Sequence, residues 1–404
     1  MTTAAGAQTQ GPASVGEQGP RLDLGAVRAL VDELALLRRE SGSSGEVEAA
    51  TRIAQHLKGI GLEAQIEPAR VHGTYWWPLG ILSLASAAAG MGRSRRWATL
   101  ALLAALGIVD ELWIGPQLLR RLLPKREGAN VTAFAGPPGA PRTIVVHAHH
   151  DAAHSGLVFH PRLRGSKIRR ALVRRRKATL PVLWSVLAPA LLVCFGRFSG
   201  SRLARWLGSL GSLGAVGLFI QIGASEVVPG GLDNLSGVAV LLALAKRFEL
   251  EPPDSRVVLV STGSEESFLE GMRAWCDRHA EELPRSTAFV CLESVGCDQL
   301  VTLEGEGYLK LHRHSPQVDA ALRRAAGCAG VHIAPRFRYR LATDAQVPRL
   351  LGFNTAVLSS IDLDGKLRNY HWPTDTPDRL DWETVGEACR VVAGLVGSSS
   401  ASGL

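Results

Sequence analysis

The feature that most constrains this chain is a set of apolar runs that stop abruptly at ligand-type side chains. Ile144-Val145-Val146 runs into His147-Ala148-His149-His150-Asp151, Val257 to Ser261 leads into Glu265-Glu266, and Ala288 to Leu292 ends at Glu293. Between the first two lies Gly231-Leu232-Asp233-Asn234-Leu235-Ser236-Gly237, a turn with a single carboxylate that enters the apolar segment Val238 to Phe248. Short β-branched runs alternating with longer helical patterns predict a doubly wound α/β sheet, in which functional groups gather beyond the carboxyl ends of the strands. With Tyr370-His371 near the C-terminus, two imidazoles and three carboxylates converge on one edge, Asp233 in the middle.

Imidazole nitrogen and carboxylate oxygen are the donors that zinc accepts. Two such ions about 3.5–4 Å apart need one bridging carboxylate and two further ligands each. Five residues are what that arithmetic requires. A lone Asp in such a turn is also what a helix N-cap looks like, and paired Glu residues suit a helix N-terminus, so each motif alone has a structural reading.

In order and context these motifs resemble the di-zinc aminopeptidase family, which includes bacterial leucyl aminopeptidases, glutamate carboxypeptidase-like enzymes and glutaminyl cyclases. The resemblance implies His149 and Glu293 as terminal ligands, Asp233 as the bridge, Glu266 and His371 as the remaining terminal ligands, and Glu265 as general base. It further implies Asp151 as the carboxylate that orients the His149 ring, and Tyr339 or Arg340 as donor to a developing oxyanion. His147 and His150 are expected to point away from the centre and to be structural. The family usually has Asp at the position of Glu293 and a fuller Gly-rich acidic turn before Asp233; both departures are mild. The resemblance covers about Leu22 to Val71, Asn130 to Gly156, and Val228 onward.

Two stretches fall outside it. Leu79 to Met91 and Trp97 to Val109 form one apolar pair around a basic turn, Leu180 to Phe195 and Trp206 to Ala224 another. They account for a hydrophobic fraction of 46% and a mean hydropathy of +0.09, high for a soluble enzyme. Crossing a bilayer takes about 17–25 apolar residues, so only the last is comfortably long, but tryptophans at or near segment ends and spaced small residues (Gly208 with Ser212, Gly211 with Ala215) favour membrane hairpins over buried ones. The domain reading is a disordered tail, 1–21, and a catalytic domain, 22–404, interrupted by hairpins at 76–126 and 157–226.

A net charge of +8 and a pI near 9.5 raise nucleic acid as a partner. The basic residues instead flank the apolar stretches, without interleaved aromatics, which points to anionic lipid and not to nucleic acid. Thirteen Lys and Arg on the body side against six at the hairpin tips place the catalytic body in the cytoplasm of a multi-pass membrane protein. Six cysteines without a CxxC pair fit reduced thiols, and the N-terminus lacks a signal-peptide pattern.

The expected function is hydrolysis of peptide or aminoacyl amide bonds by a metal-activated water, with two zinc ions. Two alternatives stay open. One is a single-zinc glutaminyl-cyclase-like aminoacyl transferase, which Glu266-Ser267-Phe268 resembles; the other is a catalytically silent membrane scaffold.

Overall fold

The computed structural model describes residues 24–398 apart from 95 and 165, so the expected tail and the tip residue Arg95 lie outside the described residues. Two amphipathic helices open the chain, α1 (Gly25–Ala35) and α2 (Ser44–Gly59), the second capped by the Ser43 hydroxyl accepting from Glu46 N–H at 3.1 Å. In order there follow β1 (Ala64–Val71), α3 (Trp76–Met91), α4 (Arg96–Leu112), β2 (Arg126–Ala135) and β3 (Thr143–His149). Next come α5 (Pro161–Arg164), α6 (Lys167–Arg176), α7 (Trp184–Ser199), α8 (Arg202–Gly223), α9 (Ser236–Leu250), β4 (Arg256–Thr262) and α10 (Glu270–His279). The chain closes with β5 (Ala288–Glu293), β6 (Gln299–Glu306), β7 (His312–Arg313), α11 (Pro316–Cys328), β8 (Ile333–Arg338), α12 (Gln346–Leu350), β9 (Asn354–Ile361) and α13 (Trp382–Gly397).

The strands form one mixed sheet in the order β1-β2-β4-β3-β5-β9-β6-β7, with β8 paired to β6. Its centre, β4-β3-β5-β9, is parallel. Alternation divides the side chains between two cores: Ile144, Val146 and Ala148 of β3 join Val257, Leu259 and Val290 under α1, α2, α9, α11 and α13. Val145, Val258, Val260 and Phe289 face the other way. Because α9 lies between the sheet and further helices, it is buried on nearly every side from Ser236 to Ala245, as its unbroken apolar run requires.

The second sheet face carries the four apolar helices. Leu79, Ile108, Leu112, Val186, Leu187 and Phe219 pack in one continuous core with Val260, Met272, Trp275 and Phe289. Both excursions from the sheet have closed necks. Val71 pairs with Arg126 across the first; at the second, Ser155 N–H donates to Glu226 at 2.8 Å and Val228 N–H to Ala153 at 3.0 Å. The helices touch through small residues: Ser86 and Ser212 hydroxyls meet at 3.1 Å, and a Cβ on Gly90 would fall 1.9 Å from Ser209 Oγ.

The helix after the Asp233 turn begins at Ser236 and the one after Glu265-Glu266 at Glu270, because in both places an irregular segment presents the polar side chains first. Strands β6, β7 and β8 and helices α5 and α6 were not foreseen from the sequence. Gln299, Glu304 and Glu306 interrupt the alternation of β6, and β8 contains Pro335 and Arg336.

Among the described residues, α8 alone is long and apolar enough to cross a membrane. At 1.5 Å per residue the 16 residues of α3 or α7 span about 24 Å, short of a hydrocarbon core of about 30 Å.

Candidate metal and active site

Three of the strands that end in candidate residues are neighbours in the parallel centre, so their C-terminal ends deliver His149, the 263–269 loop and Glu293 to one place. The Asp233 turn enters from the α9 side. Here Asp233 (φ −114°, ψ 86°) and Asn234 leave helical geometry, and the peptide between them is cis. Asp233 makes no N-cap bond; Asn234 supplies that function, its Oδ1 accepting from Gly237 N–H at 3.2 Å and Ser294 N–H at 2.9 Å while Nδ2 donates to Leu292 O at 2.8 Å. The Asp233 carboxylate is left free to face the cleft. Gly237 is required by this closeness, since a Cβ there would lie 2.6 Å from Asn234 Oδ1 and 2.7 Å from Leu292 O.

The two Asp233 oxygens divide between two imidazoles. Oδ1 is 3.3 Å from His149 Nε2, and Oδ2 is 3.3 Å from His371 Nε2. His149 Nε2 lies 3.8 Å from Glu293 Oε2, and His371 Nε2 lies 3.2 Å from Glu266 Oε1. Two triads result, His149–Asp233–Glu293 and Asp233–Glu266–His371, each with ligand atoms within 4.8 Å of one another. Glu265 joins His149 and Glu266 in a third such group. All five expected ligand positions and Glu265 thus meet in one cleft.

Asp151 holds two parts of this arrangement. Its Oδ1 is 3.2 Å from His149 Nδ1 and accepts from Glu265 N–H at 3.0 Å; its Oδ2 accepts from Glu266 N–H at 3.0 Å and from the Ser41 hydroxyl at 2.7 Å. The loop it clamps is strained, with Ser264, Phe268 and Leu269 at positive φ, as are Ser294 and His371 nearby. Left-handed backbone at residues with a Cβ costs about 1–3 kcal/mol each and persists where the surroundings over-determine it. A Cβ at Gly271 would fall 1.8 Å from Gly263 O, so the start of α10 closes directly onto the loop.

Three further residues shape the site without having been legible as site residues. Asp375 accepts from Leu232 N–H at 2.9 Å and Asp233 N–H at 3.1 Å and so fixes the turn. Fully buried Arg39 donates to the carbonyls of Leu34, His150 and Pro229, tying the strand-end segment to the chain entering that turn. Tyr308 reaches the cleft beside Glu265 and Glu266. A lone Arg, Tyr or Asp carries no motif, and only proximity reveals these three.

The remaining candidates separate. Tyr339 lines the cleft, its hydroxyl 3.0 Å from Ser359 Oγ. Arg340 is not among the residues of the cleft wall, and its backbone N–H is engaged by Thr179 Oγ1 at 2.7 Å. His150 turns away to Ser261 Oγ at 2.9 Å. His147, two residues before His149, shares its face of β3, contrary to the expectation that it points away, but packs edge-on against Phe289 deeper in the core. Burial holds both rings neutral, with pKa values lowered to about 3.

Electrostatically the cleft holds more negative groups than its imidazoles balance. Burial, opposed by His149 but reinforced by Glu266, drives the Glu265 carboxyl well above the usual carboxylate range; burial and Asp233 do the same for Glu293. His371, despite burial, is raised to about 9 by Glu266 and Asp233, and His149 is raised strongly by Glu265, Asp151 and Asp233. Burial works against the charged form of Asp233, yet its bonds to His149 and His371 bring its pKa below the ordinary value. Protons are thus gathered into a buried nest of oxygen and nitrogen donors, and Glu293 Oε2 has no hydrogen-bond partner among the described residues. Such a donor set fits zinc, which neutralises the excess charge and accepts both ligand types.

Residues 216–396 match the model of peptidase family M28. No curated protein sequence matches the chain. Among solved structures, similar folds include an aminopeptidase from Aneurinibacillus sp. strain AM-1 (16% identity, 93% of each chain covered, TM-score 0.56). Others are a zinc aminopeptidase from Bacillus subtilis (14%, 94% of this chain and 96% of that one, 0.56) and a Bacteroides thetaiotaomicron glutaminyl cyclase bound to N-acetylhistamine (14%, 94% and 99%, 0.57). At these identities the likeness is one of fold. The match to peptidase family M28, on a mixed α/β fold with this donor cluster, marks the chain as an enzyme of the zinc metallopeptidase class.

Proposed function

We propose that the protein is a membrane-anchored aminopeptidase or related exopeptidase that hydrolyses peptide or aminoacyl amide bonds with two zinc ions. The observation that carries this reading is the Asp233 carboxylate, whose two oxygens each sit 3.3 Å from a different imidazole. His149 and Glu293 would complete one metal site, Glu266 and His371 the other, with Asp233 shared between them. Zinc bound there supplies Lewis acidity that lowers the pKa of water and polarises a carbonyl.

Within that frame the chain's own groups have distinct tasks. Asp151 orients the His149 ring and, by accepting from the backbone of Glu265 and Glu266, sets where both carboxylates point. Glu265, outside the two triads formed with Asp233, takes the proton from the attacking water and passes it to the leaving amine. Tyr339 offers its hydroxyl from the cleft wall to the oxygen on which charge develops.

Support for the membrane comes from the outward face of the four helices. Leu203, Trp206 and Leu210 are 67–70% exposed on α8, and Phe195 and Phe198 are exposed on α7, large apolar side chains of the kind that mark an interaction or membrane surface when they gather on one face. In this reading α8 spans and the shorter helices insert beside it, with the catalytic body in the cytoplasm and anionic lipid against the basic flanks.

The test is zinc per chain by elemental analysis of detergent-purified protein, wild type beside Asp233→Ala, with a peptide-substrate screen and Glu265→Gln as the inactive control. Two ions in the wild type and loss of both in the variant support the shared-carboxylate site. One ion in an active wild type favours the cyclase reading, and no zinc with no activity favours a silent scaffold.

A further inference from the structure

The donor cluster does not open onto a polar groove. Asp233, Glu265, Glu266, Glu293 and His371 form one end of a cavity of about 190 Å³ whose remaining wall is mostly apolar. Part of that wall comes from the catalytic body, through Phe268, Tyr308 and Leu341. The opposite part comes from the apolar helices and the chain leading into them: Leu183, Val186, Leu218, Phe219 and Ile222. Val186, Phe219 and Ile222 are themselves buried in the core that joins these helices to the sheet, so the wall is a packed surface.

We propose that the substrate amide carries a long apolar chain next to its scissile bond, and that α7 and α8 form the specificity pocket for that chain. Charge supports this choice. Away from the acidic cluster Lys366 is the one ionic side chain on the cavity wall among the described residues, and the hydroxyl that α7 brings to the wall, Ser185, is already given to the Val182 carbonyl at 2.6 Å, so a charged substituent pointing toward α7 and α8 would lose its water without gaining an ionic partner there. A hydrocarbon chain loses nothing there and gains by burial. Position supports it as well: Phe219 and Ile222 face the cavity while Ile220, on the same turn of α8, is exposed on the outer apolar face, so a single helix separates the catalytic cleft from the surface assigned to lipid. The reaction is ordinary amide hydrolysis, in which water adds to the carbonyl carbon, the C–N bond breaks, and carboxylate and protonated amine leave. The inference rests on the hydrolytic reading above and adds the class of substrate. The chain can be the side chain of an N-terminal residue or the acyl part of a fatty amide; both present the same hydrocarbon.

The experiment uses the full-length, zinc-loaded protein in detergent. kcat/KM is measured on aminoacyl p-nitroanilides with unbranched side chains of one to eight carbons, and on decanoyl p-nitroanilide, which lacks the α-amine. A rise of about fourfold per added methylene over at least three steps is expected. Phe219→Trp and, independently, Val186→Phe should lower the ratio of the eight-carbon to the one-carbon substrate at least tenfold, with zinc content and gel-filtration profile confirming that at least one variant is folded. Cleavage confined to the aminoacyl series assigns the chain to a side chain, cleavage confined to the decanoyl compound to an acyl group, and either supports the pocket. A flat or falling length dependence, or an unchanged ratio in a folded variant, overturns the pocket while leaving the hydrolase reading intact. No cleavage of any member by protein holding its zinc overturns both.

Discussion

The two halves of this molecule solve opposite problems. At the carboxyl edge of the sheet, carboxylates and imidazoles are buried against their preference for water and held by strained backbone, with Ser264, Phe268, Leu269, Ser294 and His371 all at positive φ. In the helix bundle the helices meet largely through alanine, glycine, serine and leucine, with Ile108, Val186 and Phe219 against the sheet, and further apolar groups face outward. One region spends stability on chemistry and the other obtains it from close packing. They are not separable, because the bundle's inner residues share a core with the sheet and help to wall the cleft.

The largest effect that would sharpen this contrast is at the cleft. Glu265→Gln should reduce kcat by about 10²–10⁴-fold, the range for loss of a general base, while zinc content stays at the wild-type value. Full activity in that variant would remove Glu265 from the mechanism.

Next is the joint between the halves. Fully buried Arg120 bonds Glu111 at the end of α4 at 2.8 Å and lies 3.5 Å from Glu270 at the start of α10, and it donates to the carbonyl of Ser267 in the strained loop. Arg120→Ala strands the buried Glu111 carboxylate, while Glu270 keeps its bonds to His72, Gly73 and Ser267, and should cost about 3–5 kcal/mol by denaturant unfolding. It should also lower activity through the loop. A loss under about 1 kcal/mol would show that bundle and site are mechanically independent after all.

Within the bundle, Gly90→Ala should cost about 1–3 kcal/mol because the new methyl meets Ser209, whereas Gly214→Ala, with open space around it, should be neutral or stabilising by up to about 1 kcal/mol. Equal effects on thermal unfolding would contradict the helix contacts described above.

A further effect appears only below neutral pH, in the body. His314, buried with its Nδ1 2.9 Å from Thr355 Oγ1, has its pKa lowered to about 3 by burial and by Arg349. Its folded pKa lies below its unfolded value of about 6.5, so the unfolded chain binds the proton first as acid is added. The contribution is whole above about pH 6.5 and is lost as pH falls toward 3. His314→Asn should make stability fall less steeply between those limits; an identical slope would show that His314 is protonated in the folded state.

Much of the site was legible because chemistry leaves a pattern at strand ends: His149, Asp233, Glu265, Glu266 and Glu293 each follow or precede an apolar run, and all converge. Asn234, the residue that caps α9, sat beside Asp233 and was overlooked, since either side chain has the chemistry for that bond. Arg39, Arg120, Tyr308 and Asp375 carried no signal, since each acts across more than 100 residues of chain or through neighbours that only folding supplies. Strand β8 carries no clear signal because its proline and arginines sit toward one edge of the sheet, where burial on both faces is not demanded, and β6 carries none because Thr302, Gly305 and Glu306 break its apolar run although the fold buries them.

By itself, then, the sequence determined the α/β alternation, the residue types gathered at the sheet edge and the presence of four apolar helices, because periodicity and ligand chemistry are local properties. Only the tertiary structure decided that Asp233 divides its oxygens between two imidazoles, that Asp151 and Arg39 hold the strand ends in place, and that the apolar helices close over the cleft. Those are distances between residues far apart in the chain, and nothing short of packing both sheet faces determines them.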